Sequence, residues 1–130
     1  MEKWLKTGVR VKSDTPWISN IVLVQKKDGG LRPCIDFRKL NEVTVPDHFP
    51  LPRLEVVLEK VGNCHWYTSL DLSSGFLQIR LTKRASRKCG IITEDDVFQM
   101  THMPFGLRNA TSAFAKVMAH VMSFQVWRNR

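Results

Sequence analysis

Residues 20–37, NIVLVQKKDGGLRPCIDF, hold two apolar runs on either side of a Lys-Lys-Asp-Gly-Gly centre. Asp-Gly between such runs is a strong local hairpin signal, because both residue types accept the backbone angles a tight turn needs. The pattern predicts a buried strand over Asn20–Gln25, a turn at Lys26–Gly30 and a return strand over Pro33–Phe37. A hairpin there commits this part of the chain to antiparallel pairing.

The rest of the pattern changes period along the chain. FLQIRL (76–81) and VFQMTHM (97–103) alternate apolar and polar residues and read as strands, and HWYTSLDL (65–72) is strand-like. VPDHFPLP (45–52) holds three prolines and reads as extended. Pro52 then opens a helix with Leu54, Val57, Leu58 and Val61 on one face and Gly62 at its end. From Asn109 onward Ala110, Phe114, Val117, Met118 and Val121 recur at helical spacing, with Asn109 or Thr111 as N-cap. Strands interspersed with helices, joined by short connections, give an α+β domain. The 130 residues suffice for one modest core and show no repeat or linker.

Composition narrows the chemistry. No apolar run approaches the roughly 20 residues of a transmembrane helix, so no membrane role is expected. The first residues lack the apolar core of a secretory signal, which predicts an intracellular protein, cytoplasmic or nuclear. Cys34, Cys64 and Cys89 show no metal-ligand spacing and read as reduced, small apolar residues. The formal net charge is +8 and favours polyanionic partners. Arg80, Lys83, Arg84, Arg87 and Lys88 follow one another with no acid between them. They read either as a solvated basic loop or as a phosphate-facing patch.

Other stretches carry two readings each. Asp71 stands between Leu70 and Leu72, ahead of a Ser-Ser-Gly bend. It is either an Asx turn at a strand end or a cation ligand. In PFGLRN (104–109), Gly106 permits close backbone approach and Arg108 can face an anion; the plainer reading is a loop into a helix. Lys26, Lys27 and Arg32 form either a cationic clamp for phosphate or ordinary protection of a strand edge. Glu94–Asp96 reads as a polar hairpin turn, and the four histidines show no zinc-ligand spacing.

In order along the chain, PWISNIVLVQKKDGGLRPCIDFRKLNEVT, FPLPRLEVVLEKVGN, YTSLDLSSGFLQIRL and MTHMPFGLRNATSAF resemble the fingers, connector, motif A and motif B of gypsy-type LTR retrotransposon reverse transcriptases. The resemblance runs from Lys3 to Phe124. It implies a fingers hairpin with connector over about 1–62 and a partial palm over about 63–130, with an antiparallel sheet and packed helices. The activity implied is RNA-templated DNA synthesis on a primer–template with deoxynucleoside triphosphates. Asp71 matches the motif A aspartate that binds magnesium, for which manganese can substitute, and Leu72 offers a backbone carbonyl to the same ion. Phe76 matches the aromatic gate beneath the incoming sugar. Lys26 or Lys27, together with Arg32, matches the grip on the triphosphate, and Phe105, Gly106 and Arg108 fall in the motif B loop near nucleotide and template. Arg80, Lys83, Arg84, Arg87 and Lys88 are expected to contact nucleic acid with Arg108. Oligomeric state stays open.

The sequence also departs from the family. Thr111 stands where motif B usually has proline, and Ala115 where it has glutamine. The Tyr-x-Asp-Asp of motif C is not among these residues, and Asp95 and Asp96 precede motif B, where the family has a turn. Thumb and RNase H parts are not matched either. The expectation is a fingers and partial-palm fragment, inactive by itself and with an apolar surface left open on the helix 110–124. The alternatives are a non-catalytic binding module on the same fold and an inert product of a decayed element.

Overall fold

A computed structural model describes residues 5, 7–27, 29–51, 53–62, 65–66 and 68–126, side chains at 60 and 124–126 excepted. The expected Pro52 helix start, the turn residue Asp28, Cys64, and Tyr67 of the strand-like stretch lie outside the described residues.

β1 (Arg10–Lys12), β6 (Val97–Met100), β5 (Gly90–Ile92) and β2 (Ile18–Ser19) form a four-stranded sheet in that order. The β1–β6 and β6–β5 pairings are antiparallel, and β2 joins the edge in parallel. Gly90 is required at that edge: any Cβ there would overlap the carbonyl oxygen of Trp17. Glu94–Asp96 lies in the β5–β6 turn, as expected. β3 (Ile21–Gln25) and β4 (Leu31–Ile35) form a separate two-stranded ribbon. The helices are α1 (Arg38–Glu42), α2 (Leu54–Val61), α3 (Lys83–Lys88) and α4 (Ala110–Val126). This is the α+β class the sequence implies, and no described helix is long and apolar enough to cross a membrane.

The core lies where ribbon, sheet and loops meet. Phe37, Cys89, Ile91 and Met100 are buried together, with Ile21, Ile35, Leu40, Leu77, Leu81 and Leu107 packed around them. Burial pushes the Cys89 thiol up to about 11.

Several expectations need correction. The β3 strand exists but is not buried: Leu23 is 65% exposed, and Leu31 across the ribbon on β4 63%, because only Ile21 and Ile35 at the ribbon's base reach the core. β4 begins at Leu31, not Pro33, because the turn sets the register. Lys26 N–H donates to Gly30 O (2.7 Å), Gly29 N–H to Lys26 O (3.1 Å), and Gly29 takes φ +83°. Described residues 65–72 form no strand, since no described strand lies beside them to complete a ladder. Phe76–Leu81 is not a strand: Gly75–Gln78 is a 3-10 turn, and only Arg80 makes a bridge, to His102. The basic run is helical over Lys83–Lys88, with the Thr82 hydroxyl capping Ala85 N–H at 3.2 Å.

Asn109 does not cap α4 with its side chain. Its Nδ2 donates to Val45 O (2.8 Å) and its Oδ1 accepts from Asp47 N–H (3.0 Å). Ser112 Oγ donates to Asp47 O (2.9 Å), and Lys116 Nζ pairs with Asp47 (2.5 Å). The extended proline segment has no ladder, so α4 satisfies its backbone polar groups instead. Further along α4, Val121 and Met122 are exposed, as expected, and so is the apolar face of α2.

Candidate functional site: the Asp71–Phe76 cleft and its neighbours

The Ser-Ser-Gly bend after Asp71 shapes the first cleft. Ser74 sits in the left-handed region (φ 52°), the chain turns into the 3-10 segment, and Gln78 Nε2 closes the bend on Ser73 O at 2.9 Å. The turn packs closely on α4: a Cβ at Gly75 would lie 2.9 Å from the Phe114 ring. This approach brings Phe76 between two rings, edge-to-face with Phe105 (5.1 Å) and Phe114 (5.2 Å). Asp71, Leu72, Phe76, Phe105, Phe114 and Met118 line an open cleft of about 520 Å³. Asp71 is exposed there, not buried between its leucines, and Leu70 is 80% exposed.

The donor set fits one hard cation in part. Among the described residues Asp71 has no hydrogen-bond or ion-pair partner, so both its oxygens are available at the cleft mouth. Magnesium characteristically keeps several waters and takes one or two carboxylates plus substrate phosphates. Among the described residues no three His, Cys, Asp or Glu side chains cluster as a metal site. Among the described residues the cleft offers one carboxylate, around which a single ion would be completed by water and phosphate oxygens.

A second cavity of about 400 Å³ adjoins the first through Phe105 and is lined by Arg32, Cys34, Leu77 and Gly106 among others. Gly106 takes φ +91°, which side-chain-bearing residues rarely adopt. Asn41 holds this loop. Its Nδ2 donates to Gly106 O (2.8 Å), its Oδ1 accepts from Arg108 N–H (2.8 Å), and Arg108 Nη1 reaches Asn41 O (3.2 Å). Arg108 is thus anchored to the end of α1. Sequence reading missed Asn41, since an asparagine inside a short helix carries no signal of a partner 65 residues away. It also missed Phe114 as a site residue, although helical spacing placed it on the apolar face.

The remaining expected residues do not converge on Asp71. Lys26 and Lys27 are exposed at the ribbon's turn and line neither cavity. The basic run divides. Arg80, Lys83 and Arg87 line a polar cleft with Lys12. Lys88 instead lies over the Trp17 ring at 5.8 Å, and Arg84 lines neither place. Lys12 pairs with Asp96, which raises the lysine and lowers the carboxylate. At the base of the ribbon the Arg38 guanidinium grips Asp36 through two oxygens (2.9 and 2.7 Å) and holds its carboxyl down at about 2.

Residues 24–128 match the family model described as reverse transcriptase (RNA-dependent DNA polymerase). The chain is 35% identical over 127 residues to the retrovirus-related Pol polyprotein from transposon 297 of Drosophila melanogaster, covering 94% of this chain and 12% of that protein. It is 35% identical over 132 residues to the transposon gypsy Pol polyprotein of the same organism, covering 97% and 13%. An RNA-directed DNA polymerase homolog of Oenothera berteroana is 38% identical over 92 residues, 71% of this chain and 65% of that one. The fold resembles the foamy viral protease-reverse transcriptase in complex with RNA/DNA hybrid (TM-score 0.76, 22% identity, 94% of this chain and 16% of that one). The native prototype foamy virus enzyme is similar too (TM-score 0.74, 21% identity, 94% and 16%).

Proposed function

The chain belongs to the reverse transcriptase (RNA-dependent DNA polymerase) family, and from that premise we propose that its Asp71 cleft is the nucleotide end of a polymerase active site. The chain spans about an eighth of the length of the transposon polyproteins it matches, so their activity, substrates and partners are part of the proposal. One observation carries the reading: Asp71, Leu72, Phe76 and Phe105, drawn from two separate motifs, line a single open cleft.

In this reading Asp71, with the Leu72 carbonyl, would hold magnesium at the cleft mouth. Bound there, the ion would neutralise the charge on the triphosphate and the primer 3′-oxygen during in-line displacement. The Phe76 ring, fixed by Phe105 and Phe114, is a wall under the incoming sugar, and a 2′-hydroxyl would meet it. Arg32, in the adjoining cavity, supplies a fork for phosphate oxygens. Lys26 and Lys27 would reach the triphosphate only if the ribbon bends toward the cleft. The template is RNA or DNA and the location intracellular, in keeping with the free thiols of Cys34 and Cys89.

The test is a chimera. This chain replaces the matching segment of the transposon 297 polyprotein, and primer extension is measured on a primed RNA template. Extension is expected, with Asp71→Asn abolishing it and Phe76→Val admitting ribonucleotides. A folded chimera that binds primer–template without extending, or one indifferent to Asp71→Asn, overturns the assignment. The 130 residues alone offer the cleft one matching carboxylate, so by themselves they are expected to give no detectable extension with magnesium and deoxynucleotides.

A further inference from the structure

We propose that the cleft bounded by β1, α3 and Arg80 is a second binding surface, for the phosphodiester backbone of a nucleic-acid strand, separate from the Asp71 cleft. It encloses about 490 Å³ and shares no lining residue with the cleft that holds Asp71. The inference uses none of that cleft's residues and stands without the polymerase reading.

Lys83 and Arg87 are four apart on α3, so both point to one side of the helix. Arg80 enters from the bridge to His102, and Lys12 from β1. Arg80, Lys83 and Arg87 are exposed, and none has a carboxylate partner among the described residues. Asp14 is the one carboxylate on the lining, and Asp96 engages Lys12 from outside it. The balance is an excess of two positive charges.

The cleft floor is a connected polar chain. Ser13 Oγ donates to Gln99 Oε1 (2.8 Å), Gln99 Nε2 to Ser86 Oγ (3.1 Å), and Ser86 Oγ to Met100 O (2.6 Å). Ser86 is 4% exposed. These bonds tie the end of β1, α3 and β6 together, so the cations stand on a fixed base. Spaced cations on an open polar cleft suit a ligand with charges at regular intervals. Arg forks and Lys point charges are the usual phosphate contacts. The cleft is polar and cationic where the Asp71 cleft is aromatic.

The test measures binding of the 130-residue chain to a fluorescein-labelled, mixed-sequence 20-nucleotide RNA as salt is varied. Binding at low salt is expected. Lys83→Gln with Arg87→Gln should weaken it about tenfold and reduce the slope of log affinity against log salt by about 1.4, two phosphate contacts on a single strand. Arg84→Gln with Lys88→Gln removes the same charge from the same helix but outside the cleft, and should have a much smaller effect. The swap Lys83→Arg with Arg87→Lys should retain binding. Asp14→Asn should tighten binding about threefold, since it removes one repulsive charge several Å from the strand. Equal losses from the two double substitutions, no tightening with Asp14→Asn, displacement of the RNA by poly-glutamate at equal charge, or no binding at low salt would each overturn the proposal.

Discussion

Asn41→Ala tests whether the loop carrying Phe105 and Gly106 is held from α1. The substitution removes the 2.8 Å bond to Gly106 O and the 2.8 Å bond from Arg108 N–H. It leaves the backbone acceptor that Arg108 Nη1 uses. A net hydrogen bond is worth about 0.5–1.5 kcal/mol, so two contribute about 1–3 kcal/mol. The loop lies near the surface, where water can replace part of the loss, so about 1–2 kcal/mol is expected. For a domain of this size that lowers Tm by roughly 3–12 °C. Asn41→Asp separates the two bonds. The carboxylate still accepts from Arg108 N–H but cannot donate to Gly106 O. It should therefore be destabilised at neutral pH and recover as acidification restores a donor. Thermal unfolding followed by circular dichroism, at neutral pH and near pH 4, reads both variants, and hydrogen exchange at 105–108 reads the loop. An Asn41→Ala protein within about 0.5 kcal/mol of the parent, the scatter of ordinary surface changes, with unaltered exchange, would refute the reasoning.

Gly90→Ala should cost about 1–3 kcal/mol or more in thermal unfolding, since the new methyl meets the Trp17 carbonyl at the parallel edge; an unchanged Tm would show that β2 is not seated there. Cys89, pushed up to about 11 from 9.0, should carry about a hundredfold less thiolate than an ordinary cysteine at pH 8. Peptide mapping after iodoacetamide should find Cys34 labelled long before Cys89, and equal rates would contradict the burial. Asp36, held at about 2 by Arg38, should stabilise the fold fully above the ordinary carboxyl pKa and lose that contribution between about pH 4 and pH 2. Asp36 carboxyl shifts followed by NMR check this, and an ordinary titration midpoint would break the Arg38 pairing.

Local chemistry explains why some elements were legible. The Lys26–Gly30 turn, the Glu94–Asp96 turn, the helix from Ala110 and the order of the motifs follow from φ-permissive residues and side-chain period, which neighbours in sequence decide. Other features depend on what lies alongside. Residues 76–81 alternate like a strand, yet a ladder needs a second strand, and packing of Gly75 and Phe76 on Phe114 turns them into a 3-10 segment instead. The β3 run is apolar enough for a core, but burial requires a covering layer, which among the described residues reaches only Ile21 and Ile35. The basic run shows its charge in the sequence and not its division, because the helical rotation of α3 and the position of Trp17 send Lys83 and Arg87 one way and Lys88 another. Asn41 carries no pattern and Asn109 reads only as a helix cap, and their cross-chain roles appear only when folding brings unsatisfied backbone groups from distant segments within hydrogen-bond reach. By itself, then, the sequence determined the turns, the helical period, the net charge and the ordered motifs. Tertiary structure alone decided which apolar runs are covered, which cations share a cleft and that Phe76 and Phe105 meet beside Asp71, because coverage, convergence and hydrogen-bond satisfaction are set by contacts between residues far apart in the chain.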